Sequence, residues 1–243
     1  MSDVIFMTGA RGGAGTTTCA VKLGIALSEA GERTLIVDGD TECASGLQAS
    51  GLQGLNVYTL ADVETGACRV KQAILQHPSS PNLYVLPSLG CKDGGCVEKA
   101  VAECEPLFDY VICDQTARSA CRRALLVSDP YHTSLTGAKK RGGELKDAGF
   151  KDVGLLINKV NGGLVFDGAI LTPQEFATVV RLPLWGVIPE DLSLPLNKMR
   201  SGTKKAFALA AAFVSGKGKK TYGVVREYLG VKGIIKRKMR ERV

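Results

Sequence analysis

The stretch from Val4 to Ala30 narrows the possible folds more than any other part of this 243-residue chain. Val4-Ile5-Phe6-Met7 is apolar and of strand length. Thr8-Gly9-Ala10-Arg11-Gly12-Gly13-Ala14-Gly15-Thr16-Thr17-Thr18 is a glycine-rich loop, and a helical pattern runs on to Ala30. Strand, glycine-rich loop and helix in that order form the setting of a phosphate-binding loop. The glycines let backbone N–H groups converge on a phosphate, and the helix N-terminus adds partial positive charge. The usual pattern, G-x-x-x-x-G-K-[ST], puts a lysine after the last glycine to meet the β- and γ-phosphates. Here Thr16 stands at that position. Phosphate capture by backbone is expected, while hydrolysis turns on a cation missing from position 16.

The same alternation continues along the chain. Strand-like runs cover Val4–Met7, Thr34–Val37, Leu83–Leu86, Tyr110–Cys113, Gly154–Ile157 and Trp185–Ile188. Helical patterns cover Thr18–Ala30, Arg69–Gln76, Val97–Cys104, Ser119–Val127, Lys139–Asp147, Pro173–Val180 and Lys204–Val214. By its position, Tyr131–Leu135 is expected to be a further, weak strand. Thr172-Pro173-Gln174-Glu175 combines an N-cap threonine, proline at the first helical position and glutamate at the third, a helix start signal. Alternating β and α segments predict an α/β fold: a three-layer, mostly parallel, doubly wound sheet with helices on both faces. Ser215-Gly216-Lys217-Gly218-Lys219-Lys220 is expected to be a linker. It would divide a body of residues 1–214 from a basic tail of residues 215–243.

Composition removes several function classes. No apolar run reaches the roughly 18 residues of a membrane span, and no secretory leader precedes the first strand, so a cytoplasmic or peripheral protein is expected. The eight cysteines (Cys19, Cys43, Cys68, Cys91, Cys96, Cys104, Cys113 and Cys121) read mostly as small buried residues of a reducing compartment. Cys91 and Cys96 form a lone C-x4-C pair with no second pair at metal-ligand spacing. With only His77 and His132, no histidine zinc motif or Ser–His–Asp set suggests itself. The net charge of +7 is uneven: from Arg200 onward 13 Lys and Arg face only Glu227 and Glu241, so this segment carries +11 and the rest −4. A basic tail on a mildly acidic body points to an anionic surface as its partner.

Two further loops carry chemistry. Asp38-Gly39-Asp40 follows the second strand, and Asp114 ends Tyr110-Val111-Ile112-Cys113-Asp114. Strand C-termini of an open α/β sheet face the ligand crevice, so the first loop, Asp40 and Asp114 are expected to converge. An aspartate after such a strand has the position of a Walker-B residue, which orders Mg2+ directly or through water.

Arg11-Gly12-Gly13-Ala14-Gly15-Thr16-Thr17-Thr18, Asp38-Gly39-Asp40, Ile112-Cys113-Asp114-Gln115-Thr116-Ala117-Arg118 and Trp185-Gly186-Val187-Ile188-Pro189-Glu190-Asp191 occur in that order. This set resembles the MinD branch of the MinD/ParA family of deviant P-loop ATPases over nearly the whole chain. The resemblance implies ATP and Mg2+ as cofactors and a P-loop NTPase fold of the deviant Walker A type. Arg11, Gly12, Gly13, Ala14, Gly15, Thr16, Thr17 and Thr18 would hold the phosphates. Thr17, Asp40 and Asp114 would serve the metal, and Asp40 would position the attacking water. Asn158, Pro189 and Glu190 would face adenine. Arg11 stands where the family has a lysine that reaches across a homodimer to the partner's phosphates.

The resemblance further implies a membrane-associated switch for placing the division septum, a dimer on ATP binding, and division-inhibitor and activator partners of the MinC/MinE or MinC/MinJ type. Residues Lys232-Gly233-Ile234-Ile235-Lys236-Arg237-Lys238-Met239 resemble the family's membrane-targeting segment. On a helix, Val231, Ile235 and Met239 share a face with Ile234 beside them, flanked by Lys232, Lys236 and Arg237. Such a helix lies in the headgroup layer of an anionic bilayer, which would place the protein on the inner face of the cell membrane. Nucleic acid is the weaker partner on this pattern, since the tail carries charge without a reading motif.

The departures leave alternatives open. Thr16 removes a charge-stabilising group whose loss typically costs about 10²–10³ in rate, and Arg11 is not a neutral exchange for lysine. A non-hydrolysing scaffold therefore stands beside the ATPase. ParA-type partitioning proteins, pilus- or flagellum-positioning relatives, and an iron protein of the nitrogenase type using Cys121, Cys91 or Cys96 are the more distant readings.

Overall fold

A computed structural model describes residues 2–55 and 57–229. The expected membrane-facing residues Val231, Lys232, Ile234, Ile235, Lys236, Arg237 and Met239 lie outside the described residues.

The chain runs β1 (Asp3–Gly9), α1 (Thr16–Glu29), β2 (Thr34–Asp38), α2 (Ser45–Ser50), α3 (Leu60–Glu64), α4 (Val70–Ala73), β3 (Leu75–Gln76) and β4 (Leu83–Pro87). It continues through α5 (Gly94–Cys104), β5 (Tyr110–Asp114), β6 (Arg123–Ser128), α6 (His132–Asp147), β7 (Asp152–Val160), α7 (Gly162–Phe166), α8 (Pro173–Val180), β8 (Leu184–Pro189) and α9 (Ser201–Val214). Among the described residues these strands form one sheet in the order β3-β4-β2-β5-β1-β6-β7-β8. Every pairing is parallel except that of β3 with β4. Among the described residues no helix is long and apolar enough to cross a membrane.

Parallel strands buried on both faces alternate between two helical layers. In β1, Ile5 and Met7 pack with α1 and α9, whereas Phe6 packs with α6 and α8 on the opposite face. Val4 joins the α5 side of that second layer. Phe207 of α9 and Phe176 of α8 are nearly inaccessible; each buried aromatic of this kind contributes roughly 1.5–3 kcal/mol. The winding reverses at β1, which pairs with β5 on one side and β6 on the other. Ligand crevices of open α/β sheets form at such a reversal, beyond the strand C-termini.

Three expected elements differ. Ser119–Val127 is not a helix: a short 3-10 turn at Arg118–Ala120 leads into strand β6. The run Ala124-Leu125-Leu126-Val127-Ser128 is buried throughout, and a strand buried on both faces shows neither helical nor alternating periodicity. Tyr131–Leu135 is not a strand, because Tyr131 caps α6, which starts at His132. The helix expected over Arg69–Gln76 stops at Ala73, and Leu75 and Gln76 pair antiparallel with Val85 and Tyr84. The start of α8 is as expected: the Glu175 N–H donates to Thr172 Oγ1 at 3.2 Å, and the Thr172 N–H donates to Glu175 Oε2 at 2.9 Å. Beyond α9 the chain returns to the body, where Val224 is buried against the layer formed by α6 and α8.

Candidate functional site

Five strand ends, those of β1, β2, β5, β7 and β8, supply the expected residues, and the sheet order brings them to one edge. The loop after β1 turns through left-handed glycines, Gly13 at φ +77° and Gly15 at φ +87°. Gly15 is the N-cap of α1; no side chain caps that helix and its first turn holds no acidic residue. The N–H groups of Thr16, Thr17 and Thr18 therefore end the loop in a concave donor array of the kind that binds phosphate. Gly15 cannot be exchanged freely, since a Cβ there would sit 2.5 Å from Asn158 Nδ2. Gly39 is equally constrained, because a Cβ on it would strike the Asp114 carbonyl. That close approach draws the loop after β2 against the end of β5.

Asp114 is 2% exposed. Burial pushes its carboxyl up to about 6, opposed by a hydrogen bond from the Thr17 hydroxyl and reinforced by the charges of Asp38 and Asp40. Its Oδ1 is buried, with no hydrogen-bond partner among the described residues. A buried carboxylate oxygen without a donor, beside a threonine hydroxyl and two more carboxylates, fits a small hard cation. Among the described residues no three His, Cys, Asp or Glu side chains form a metal cage of their own. Mg2+ usually takes one or two protein ligands and completes its shell with water and substrate phosphate oxygens.

The first aspartate of the Asp38–Asp40 pair is structural. Asp38 is fully buried and accepts hydrogen bonds from the Asp40 N–H at 3.1 Å and the Gly46 N–H at 2.8 Å. It thereby shapes the loop that presents Asp40. Asp40 accepts from the N–H groups of Cys43 and Glu42, and these bonds hold its carboxyl below the ordinary range.

Asn158 comes to the first loop from β7, donating from Nδ2 to the Ala14 carbonyl at 3.0 Å. Its Oδ1 is buried and unpaired among the described residues, an acceptor that fits an exocyclic amine such as that of adenine. Pro189 ends β8, and Glu190 accepts from Asn161 Nδ2 at 3.0 Å. Both line a neighbouring cavity of about 350 Å³ together with Asn161, Arg200, Thr203 and Tyr228. A more open groove of about 540 Å³ between Arg118, Arg122 and Lys151 opens near the starts of β6 and β7, away from the loop.

Arg11 is folded back on its own chain. Its guanidinium pairs with Asp129, which is fully buried, and its Nε donates to Ser134 Oγ at 2.7 Å. Thr16 is buried, with its hydroxyl 2.6 Å from where a Cβ on Gly9 would lie. It fills the inside of the loop and brings no charge.

Sequence reasoning missed Asp129, Ser134 and Lys159, whose Nζ donates to the Gly13 carbonyl at 2.7 Å. Asp129 follows a buried strand just as Asp114 ends one, so the same rule finds it once β6 is recognised as a strand. Ser134 and Lys159 carry no local signal.

Residues 2–90 match a family of AAA domains. The chain is 31% identical over 215 residues to the septum site-determining protein MinD of Thermotoga maritima, covering 81% of this chain and 79% of that protein. Among solved structures it superposes on MinD of Pyrococcus horikoshii OT3 complexed with Mg-ADP, with a TM-score of 0.77 and 26% identity over 88% of this chain and 96% of that one. The MinC:MinD cell division protein complex of Aquifex aeolicus gives a TM-score of 0.83 at 24% identity, over 91% and 100% of the respective chains.

Proposed function

The chain belongs to the MinD branch of the MinD/ParA family of P-loop ATPases, and from that premise we propose that it is an ATP- and Mg2+-binding switch that acts in septum placement. The observation carrying this reading is the meeting of the α1 N-terminus with two buried, unpaired acceptors, Asp114 Oδ1 and Asn158 Oδ1. Each has the chemistry for one part of a metal nucleotide: backbone donors for phosphates, a carboxylate for the cation and an amide oxygen for the base. Thr17 and Asp114 would hold Mg2+, which when bound would supply positive charge to offset that of the phosphates. Arg11, Gly12, Gly13, Ala14, Gly15, Thr16, Thr17 and Thr18 bind the phosphates, Asp40 orients water, and Pro189 and Glu190 border the base.

In this reading Arg11 has two uses. Within one chain it neutralises Asp129; in an ATP-bound homodimer it would leave that carboxylate for the partner's phosphates. The basic tail would hold the dimer to an anionic membrane on the cytoplasmic side, two weak anchors acting together. A MinC-type division inhibitor is the proposed partner, in keeping with the Aquifex aeolicus complex, with an activator of MinE or MinJ type.

A non-hydrolysing switch is the second reading, favoured by the buried, uncharged Thr16. Both readings are tested with wild type and Thr16→Lys by measuring Mg-ATP binding, oligomeric state and turnover, with and without anionic vesicles. The expected result is ATP-dependent dimerisation by both proteins, with turnover about 10²-fold or more slower in wild type. If neither protein binds Mg-ATP, the switch reading fails. Wild-type turnover equal to that of Thr16→Lys would remove the second reading.

A further inference from the structure

The loop has lost a lysine at position 16, and an ammonium group reaches it from elsewhere. Lys159 Nζ donates to the Gly13 carbonyl at 2.7 Å. Its Cε lies 3.9 Å from where a Cβ on Gly15 would be. The side chain is exposed. The neighbouring cations are placed otherwise: Arg11 is tied to Asp129, and Lys22 is buried, donating to the Ala49 carbonyl at 3.1 Å.

The backbone is bent to bring Lys159 there. Successive side chains of a strand point to opposite faces, so regular strand geometry would let only one of Asn158 and Lys159 reach the loop. Both do: Asn158 donates to Ala14 and Lys159 to Gly13. The reversal is made by Lys159 itself, which adopts φ +58°. The pairing of β7 with β8 shifts register between Ile157 and Val160 at the same place. A non-glycine residue in the left-handed region carries a strain cost. The side chain gained for that cost is a cation on the phosphate loop.

We propose that Lys159 is the phosphate-binding cation of this chain, supplied in cis from the end of β7 in place of the lysine absent at position 16. It rests on the nucleotide reading above. In the described state its ammonium occupies the Gly13 carbonyl. With a di- or triphosphate in the loop it turns to the terminal phosphate oxygens, which are more strongly charged acceptors. A nucleoside monophosphate offers only the phosphate that the α1 N–H groups already hold, so Lys159 adds little there.

The test uses the full chain and four proteins: wild type, Lys159→Met, Thr16→Lys and the double variant. Dissociation constants for Mg-ATP, Mg-ADP and AMP are measured by calorimetry, with thermal melting as the folding control. Lys159→Met is expected to weaken ATP and ADP about tenfold, the loss of one charge-assisted hydrogen bond, and to leave AMP within about twofold. Thr16→Lys in the Lys159→Met background is expected to restore ATP binding. Equal weakening of AMP and ATP would mean that Lys159 only shapes the loop, and would overturn the proposal. So would unchanged ATP affinity in Lys159→Met, or a wild type that binds no ATP while Thr16→Lys does. Absence of binding in both wild type and Thr16→Lys would sink the nucleotide reading and this proposal with it. Should Lys159→Met fail to fold, Lys159→Asn, which tolerates left-handed backbone, carries the same comparison.

Discussion

Two aspartates at strand ends of this sheet are almost equally buried and have opposite electrostatics. Asp114, ending β5, is 2% exposed; Asp191, just past β8, is 7% exposed. Burial pushes both carboxyls up. At Asp191 that push is outweighed by hydrogen bonds from the Ser193 hydroxyl, the Arg200 N–H, the Thr203 hydroxyl and the Ser193 N–H, which hold it down at about 2. At Asp114 only the Thr17 hydroxyl opposes burial, while Asp38 and Asp40 add to it, and the group stands at about 6. One carboxylate is fully served by its own chain; the other keeps an oxygen with no donor among the described residues. A folded chain leaves a buried charge unserved where something else is to serve it, and that contrast separates the structural loop end from the one proposed to bind the metal nucleotide.

The contrast is broken most severely at Asp191. Asp191→Ala leaves the Arg200 N–H and the Thr203 hydroxyl, at 3.0 and 2.7 Å from the lost carboxylate, without their acceptor. A loss of about 4 kcal/mol is expected, lowering the melting temperature by roughly 10 °C. In wild type this carboxylate is depressed in the fold. Its contribution is fully present above the ordinary value of 3.8 and is lost as pH falls toward 2. The variant's deficit should therefore shrink in acid melting experiments below pH 4. A deficit independent of pH would mean that packing, not charge, holds the loop.

Asp114→Asn should act in the opposite direction. The folded state binds the Asp114 proton more tightly than the unfolded chain does, so this carboxyl costs stability as pH rises from about 4 to about 6, and the cost persists above. Asparagine removes it. At pH 7.5 the nucleotide-free variant is expected to gain on the order of 2 kcal/mol, with the gain vanishing near pH 4. It should also lose the stabilisation by Mg2+ with nucleotide that wild type receives by linkage. Melting curves at both pH values, with and without Mg-ADP, measure this. An Asp114→Asn variant less stable than wild type at pH 7.5 would erase the distinction between the two aspartates.

Gly15→Ala should cost less stability and more function. The residue has φ +87°, and the added methyl meets Asn158 Nδ2. A loss of about 1–2 kcal/mol is expected. Displacing Asn158 from the Ala14 carbonyl deforms the loop as well, so nucleotide affinity should fall for AMP and ATP alike. That phosphate-independent pattern distinguishes it from Lys159→Met.

How far these sites could be read in advance followed from the kind of signal each carries. The β1–loop–α1 unit and the aspartates after β2 and β5 were legible because local grammar encodes them: an apolar run, then glycines or an aspartate. The sheet's helical layers followed from alternation. The β6 segment was not legible, since a strand buried on both faces lacks the two-residue rhythm; with it went Asp129, the partner of Arg11. Lys159 could not be seen at all, because its position depends on a left-handed kink and a register shift between β7 and β8. Short helices α2, α3 and α7 were invisible for a related reason: each has five or six residues, too few to show a period.

The smallest effect calibrates the served side of the comparison. Thr172 and Glu175 form a complete capping box, each side chain accepting from the other's backbone N–H. The backbone N–H and then the hydroxyl of Thr172 hold the Glu175 carboxyl below its ordinary value. Thr172→Ala should cost about 1 kcal/mol, a drop of roughly 2–4 °C in melting temperature. The cost should diminish as acid protonates Glu175, since a depressed carboxylate loses its contribution as pH falls. Nucleotide affinity should not change. If Thr172→Ala weakens nucleotide binding as Gly15→Ala does, polar groups satisfied within the chain and those left open at the sheet's edge are not separable, and the division drawn between Asp191 and Asp114 fails with them.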